Sequence, residues 1–306
     1  MLKSLRAEGL LVLGASLFAI NGVVSKLVLE SGLSAWRLTQ ARCTGAFLIL
    51  FLFVAIRKGG ELRTTRAELP WLAAYGVIGF ALVQVGYFVA IERMHVSIAL
   101  IIEFTAPIWI VLYIRFIRKK HVPVTMWFSL LFGFFGLLLI TQAWKGLTLD
   151  TVGLIAAFLD AFALAAYFLL GEKLVVRRST DTLTVWGLGF ATLTWVIVTP
   201  VWSFPYSVFV NEVNMLGRFS DYSVPGWVPI LWIVVVGTIF PYICVLSGLR
   251  HLSASTSSMI GMLEPVVAGV FAWWWLREIL TVIQLIGGTV IIIGIVLADR
   301  ARRLAS

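Results

Sequence analysis

The chain has 306 residues, of which 60% are hydrophobic and only 13% charged, with a mean hydropathy of +1.00. A water-soluble domain carries about 45–50% apolar and about 25% charged residues, so this chain has too little polar surface to cover itself in water and its solvent is lipid. The net charge of +9 would suit nucleic acid on a soluble protein; here the cations lie between apolar runs, where membrane topology accounts for them, and no nucleic-acid partner is expected.

A spanning helix needs about 20 predominantly apolar residues. Ten runs qualify: 9–29, 34–56, 69–91, 96–117, 124–142, 151–171, 182–203, 227–249, 254–275 and 279–298. Each is continuously apolar rather than alternating, which fits helices and not barrel strands. The first run follows a basic start and has the look of a signal peptide, but it is too long for one and the repeat below requires it as a helix. Most connections are short, so neighbours pack antiparallel. The exception, about 204–226, holds Pro205, Asn211, Asn214 and Pro225 and reads as a lid or a solvated linker. Small-residue pairs (Ala41/Gly45, Gly133/Gly136, Ser257/Gly261, Gly287/Gly288) read as helix-packing positions. Trp36, Trp71, Trp144, Trp202 and Trp227 fall near run ends and read as interface anchors. Cys43 and Cys244 fall within runs, and no disulfide framework is indicated.

Charge in the connections sets the orientation. With the N-terminus inside, 17 of the 24 Lys and Arg fall in cytoplasmic segments and four (Arg93, Lys145, Arg218 and Arg277) in outer ones. This asymmetry predicts a multi-pass protein of the inner, cytoplasmic membrane with both termini in the cytoplasm.

The runs repeat. Gly79 precedes Pro107 by 28 residues and Pro107 precedes Gly136 by 29; Gly237, Pro265 and Gly294 keep both spacings at an offset of 158. The first and sixth runs match more loosely, through GLLVLGASLF and GLIAAFLDAF. A unit of five spans is odd, so its second copy enters the membrane from the other side. The expected fold is an all-α polytopic membrane protein of ten transmembrane helices in two inverted five-helix repeats, 1–146 and 147–306, forming one membrane domain. The sequence sets no oligomeric state, and a monomer suffices.

Ionisable groups inside a span are costly and mark functional sites. Arg42, Glu103, Asp160 and Glu264 are such groups, with Lys26 nearer a helix end. Asp160 reads as a helix–helix hydrogen bond, and Arg42 as the partner of one of the acids. The candidate substrate-binding residues are Asn21, Gln84, Tyr87, Glu103, Tyr167, Trp186, Tyr242, Ser258 and Glu264. For Glu264, amine recognition or a proton site competes with satisfaction of the backbone freed by Pro265. Pro107, Pro241 and Pro265 each remove a backbone donor within a span, and are candidate hinges or static bends.

The segment 257–297, SSMIGMLEPVVAGVFAWWWLREILTVIQLIGGTVIIIGIVL, resembles the closing signature of EamA-type transporters in the drug/metabolite transporter superfamily: Pro265, then acidic Glu278, then Gly287, Gly288 and Gly294. Arg42 also matches a common family position. The resemblance covers the whole chain and implies ten helices, a five-plus-five inverted repeat and a central cavity. Within the superfamily the chain looks most like YddG-type exporters of aromatic amino acids. The first half departs from the signature, since Lys120 stands where Glu278 stands in the second.

Neither a phosphate-cradling loop nor a soluble domain is apparent, which argues against an ATP-driven pump. His95, His121 and His251 lie in loops, so no metal, cofactor or catalytic set is expected. The expectation is an exporter of amino acids or related small metabolites working by alternating access, with efflux of cationic or aromatic drugs as the alternative. A membrane enzyme or sensory scaffold is the reading from another class.

Overall fold

The computed structural model describes residues 2–145 and 149–305 of the chain. The sequence boundary between halves, at 146/147, lies outside the described residues. Ten helices cross: α1 (Leu2–Glu30), α2 (Ala35–Lys58), α3 (Leu69–Arg93), α4 (Val96–Ile117), α5 (Val124–Thr141), α6 (Thr151–Leu174), α7 (Thr180–Val198), α8 (Trp227–Leu249), α9 (Ala254–Leu276) and α10 (Val282–Ala305). Each is long enough, at 1.5 Å per residue, to cover most or all of a ~30 Å hydrocarbon layer. With an even number of spans, α1 begins and α10 ends on one side, called here the terminal face; the other is the far face.

Helix ends follow local chemistry. Ser34 accepts from Arg37 N at 3.4 Å, Asp150 from Gly153 N at 2.8 Å, and Ser253 from Thr256 N at 3.3 Å, each satisfying a donor of a first turn. At α10, Thr281 Oγ1 accepts from Gln284 N at 3.3 Å while Gln284 Oε1 accepts from Thr281 N at 3.0 Å. This capping box starts the helix after the run that begins at 279. Pro200 closes α7 at Val198, short of the predicted 203.

Three helices contain a π turn: Val77–Leu82 in α3, Tyr113–Ile117 in α4 and Val235–Ile239 in α8. The turns of α3 and α8 start 158 residues apart. Two helices are broken. In α4 the segment Val96–Glu103 gives way at Phe104 and Thr105 to Ala106–Leu112; in α9, Ala254–Gly261 gives way at Met262 to Leu263–Leu276. Pro107 and Pro265 sit just inside the second pieces, where a missing N–H costs least. Pro241 follows the π turn of α8. The broken helices also end alike. Lys119 (φ 54°) and Arg277 (φ 59°) are left-handed, and Lys120 N donates to Ile114 O at 3.1 Å as Glu278 N donates to Ala272 O at 3.3 Å. That is the same C-terminal closure at the same 158-residue offset.

Helices α5 and α10 run side by side. A Cβ on Gly136 would stand 2.7 Å from Gly287 O, and one on Gly294 would stand 3.1 Å from Ser129 O. Ser129 Oγ donates to Gly294 O at 2.7 Å. Elsewhere Gly79 abuts Tyr167 and Gly86 abuts Asp160, while Gly237 abuts Asn21 and Cys244 abuts Gly14. These contacts relate α3 to α8 by 158 residues and α1 to α6 by 146. The sequence match of α1 to α6 through Gly9 and Gly153 is therefore two residues out of register.

The 199–226 connection is folded. It holds two strands, β1 (Glu212–Asn214) and β2 (Ser223–Pro225), paired antiparallel with Val213 opposite Val224. Trp275 Nε1 donates to Met215 O at 2.9 Å, Arg37 Nη1 donates to Pro200 O at 2.9 Å, and Gln40 Nε2 donates to Thr199 O. The segment is thus a cap anchored to α9 and α2, and not a free linker.

Candidate functional site

A cavity of about 350 Å³ lies between the halves, walled by α1, α2, α3, α4, α6, α8 and α9. Its polar side chains come from separate elements. Asn21 and Ser25 project from α1, Thr39 and Arg42 from α2, Gln84 and Tyr87 from α3, Glu103 from α4, Tyr167 from α6, Tyr242 from α8, and Ser257, Ser258 and Glu264 from α9. The breaks explain two of these placements. Glu103 ends the first piece of α4, and Glu264 lies in the first turn of the second piece of α9. There the partial positive charge of a helix N-terminus favours a carboxylate.

Arg42 Nε donates to Thr238 Oγ1 at 3.3 Å, and that hydroxyl donates onward to Ile233 O at 2.8 Å, across the π turn of α8. Among the described residues Arg42, Glu103 and Glu264 form no ion pair within 4.0 Å. The expected Arg42–acid pair is therefore absent, and its guanidinium is instead held by α8. Asn21 Oδ1, Thr39 Oγ1 and Ser257 Oγ, on residues of this wall, are buried without hydrogen-bond partners among the described residues. Unpaired buried polar atoms are costly; these are closed off by packing, as Asn21 Oδ1 is against Gly237.

On the terminal side the cavity is lined by Leu11, Val245, Ser257 and Ser258, and rings pack beside them. Tyr75 stacks on Tyr167 at 5.6 Å, Phe80 lies 4.4 Å from Tyr242, and Phe18 meets Tyr242 edge-on at 5.1 Å. Toward the far face it runs on past Ser25, Leu29, Leu38, Phe88, Ile91 and Leu100, in the far halves of α1 to α4.

Eight of the nine candidate binding residues meet here: Asn21, Gln84, Tyr87, Glu103, Tyr167, Tyr242, Ser258 and Glu264. Trp186 does not. Helix α7 packs behind α2 and α3, with Gly187 on Phe80 and Gly189 on Phe47, and Trp186 stacks on Phe190 at 5.9 Å. Its large ring serves packing outside the cavity. Asp160 also stays off the wall. It is 1% exposed against Gly86, and its Oδ1 lacks the helix–helix hydrogen bond the sequence suggested. Of the candidate hinges only Pro107 touches the cavity; Pro241 and Pro265 lie behind it. Ser257 and Gly261, read as packing residues, line the wall, as do Thr39 and Arg42. The Arg42 signal was its charge within a span.

The model of the EamA-like transporter family matches the chain twice, over residues 5–142 and 151–298. A transporter of Archaeoglobus fulgidus described as uncharacterized is 26% identical over 293 residues, 96% of each chain. The uncharacterized inner membrane transporter YicL of Salmonella typhimurium is 22% identical over 299 residues, 95% of each. The uncharacterized transporter YdfC of Bacillus subtilis is 22% identical over 251 residues, 81% of this chain and 76% of its own. A crystal structure at 16% identity superposes with a TM-score of 0.76, covering 98% of this chain and 99% of that one, which shows the fold. Two matches to one family model, ten spanning helices and a cavity between them make this chain a membrane transporter of the EamA-like transporter family.

Proposed function

We propose that the chain exports amino acids or closely related small solutes across the cytoplasmic membrane by alternating access. One observation carries this reading: a guanidinium (Arg42) and two carboxylates (Glu103 and Glu264) face a single cavity of about 350 Å³ whose other walls are mainly apolar and aromatic. An amino acid offers the complement. Its carboxylate suits the forked donors of Arg42, its ammonium suits Glu103 or Glu264, and its side chain suits Phe18, Phe88, Phe104 and Phe168. Aromatic side chains gain most there, since rings pack edge-on and offset against rings.

Alternating access is supported by the contacts between halves. The α5–α10 contacts map onto themselves when the halves are exchanged, as in an isologous interface. The helices run antiparallel, so the relating axis lies in the membrane plane, the arrangement that lets two states of one fold face opposite sides. On this reading the repeats are 1–146 and 147–306, Pro107 and Pro265 allow the broken helices to tilt as Pro241 allows α8, and the basic terminal face is cytoplasmic. The state described is open to the far face, where the second piece of α9 has no buried residue, whereas its α4 counterpart buries Ala106, Pro107, Ile110 and Val111.

Purified protein in liposomes tests the reading. Saturable counterflow of radiolabelled amino acids is the expected result, and no flux across a broad amino-acid panel overturns it. A second reading, export of organic cations, is favoured by two carboxylates against one guanidinium and by ring faces that attract cations. Flux of a quaternary ammonium without flux of any amino acid selects it.

A further inference from the structure

The halves differ in charge where the two broken helices close. Lys120 is the counterpart of Glu278, with the same left-handed residue before it and the same closing hydrogen bond. At the 146-residue offset that relates α1 to α6, Lys26 is the counterpart of Glu172. Lys26 Nζ lies 3.0 Å from Glu278 Oε1 at the far face. At the terminal face Arg118 Nη1, two residues before Lys120, lies 2.6 Å from Glu172 Oε2. The two pairs thus occupy corresponding ends of the broken helices at opposite faces, two residues apart in register, with the charges exchanged. Each ties the end of a broken helix, α9 or α4, to the end of α1 or α6. The other ion pairs among the described residues, Arg178–Glu68, Lys58–Asp181, Arg93–Asp150, Arg302 with Glu8 and Asp299, and Arg303–Asp299, involve neither broken helix.

We infer that Lys26–Glu278 and Arg118–Glu172 are two opposed clasps that determine which face of the cavity is open. The proposal rests on the alternating-access reading. In the state described, the terminal clasp is the tighter. Its side chains are 28% and 23% exposed, and Glu172 Oε1 also accepts from Ala254 N at 2.9 Å, drawing the start of α9 to the end of α6. The far clasp is half in water, at 46% and 52% exposed, and holds a helix piece with no buried residue. Closing a face buries its pair further, and removing one partner of a buried pair strands the other charge, whereas a pair in water is worth little. Breaking either pair therefore loosens its own face and moves the population toward that face.

A thiol in the cavity reads this without a substrate. Ser258→Cys is placed in a chain carrying Cys43→Ser and Cys244→Ser, and a membrane-impermeant maleimide is added to either side of sealed vesicles. Glu172→Gln and Arg118→Gln must each raise labelling from the terminal side relative to the far side, about tenfold. Glu278→Gln and Lys26→Gln must shift the ratio the other way, about threefold. The paired exchange Lys26→Glu with Glu278→Lys must return the ratio to its starting value. Labelling from both faces with an unmoved ratio, shifts of the same sign for both pairs, or failure of the exchange to restore the ratio overturns the clasps and leaves alternating access standing. Labelling from a single face in every variant overturns both. Four single substitutions reach two pairs from both partners, so a variant that does not fold still leaves its pair tested.

Discussion

Gly136 and Gly294 occupy one and the same contact seen from opposite halves: each lies against the other helix's backbone, Gly136 at Gly287 and Gly294 at Ser129. Lipid offers apolar side chains as good a solvent as each other, so two helices associate through backbone approach and dispersion, and only small residues permit it. Gly136→Ala and Gly294→Ala should each destabilise the protein, by about 1–3 kcal/mol for overpacking against backbone. Thermal unfolding in detergent checks this. The two losses should be similar in size, because the surroundings are equivalent.

Replacing Arg42 by Gln should raise KM at least tenfold for solutes bearing a carboxylate and far less for those lacking one, since a charge-assisted contact is worth about 1.5–3 kcal/mol. Glu264→Gln and Glu103→Gln should do the same for the amine. Trp186→Phe should leave KM within about twofold. Counterflow measured over a concentration series separates these outcomes.

The terminal face should depend on pH through Glu68. Arg178 donates to it from Nε at 2.7 Å and Nη2 at 2.8 Å, which holds the carboxyl below its ordinary range. A depressed folded value means stabilisation present above the usual carboxylate pKa of about 4.3 and lost as pH falls through the folded value. Glu68→Gln should therefore unfold at lower temperature than the parent at pH 7, with the gap closing in acid. Unfolding midpoints measured from pH 7 down to pH 3 give the test.

Gly217 has φ +54° and lies against Trp275 O so closely that a Cβ meets it well inside contact distance. Gly217→Ala should detach the 199–226 cap from α9. Limited proteolysis of membranes should then cut within 204–226 sooner, while the melting midpoint of the helical domain moves by less than a few degrees.

Hydropathy made the ten spans legible, because lipid leaves the backbone few options, and most of their ends to within a few residues; the start of α1 and the ends of α7 and α10 lie five to seven residues from where hydropathy put them. Proline marked both helix breaks, and intramembrane charge marked Arg42, Glu103 and Glu264. The π turns of α3 and α8 carry no such mark, since Gly79 and Pro241 are compatible with several geometries. The register of α1 on α6 was misjudged because Gly9 and Gly153 look alike while the contacts are set by Gly14 and Asp160. The start of α10 was readable: Thr281 and Gln284 are three apart, a capping box hidden inside an apolar run. Trp186 illustrates the opposite error, for an indole in a span is costly enough to look functional even where it only fills space. Asp160 resists both accounts; its Oδ1 stays unpaired behind Gly86, with nothing among the described residues to explain it.

Lys26 and Arg118 both belong to the first half, and Glu172 and Glu278 both to the second. Two first halves joined about the same axis would set lysine and arginine against lysine at each mouth, and two second halves would set glutamate against glutamate. Halves that share a ground plan have in this way become unlike at their edges, so that each fits the other and neither fits a copy of itself.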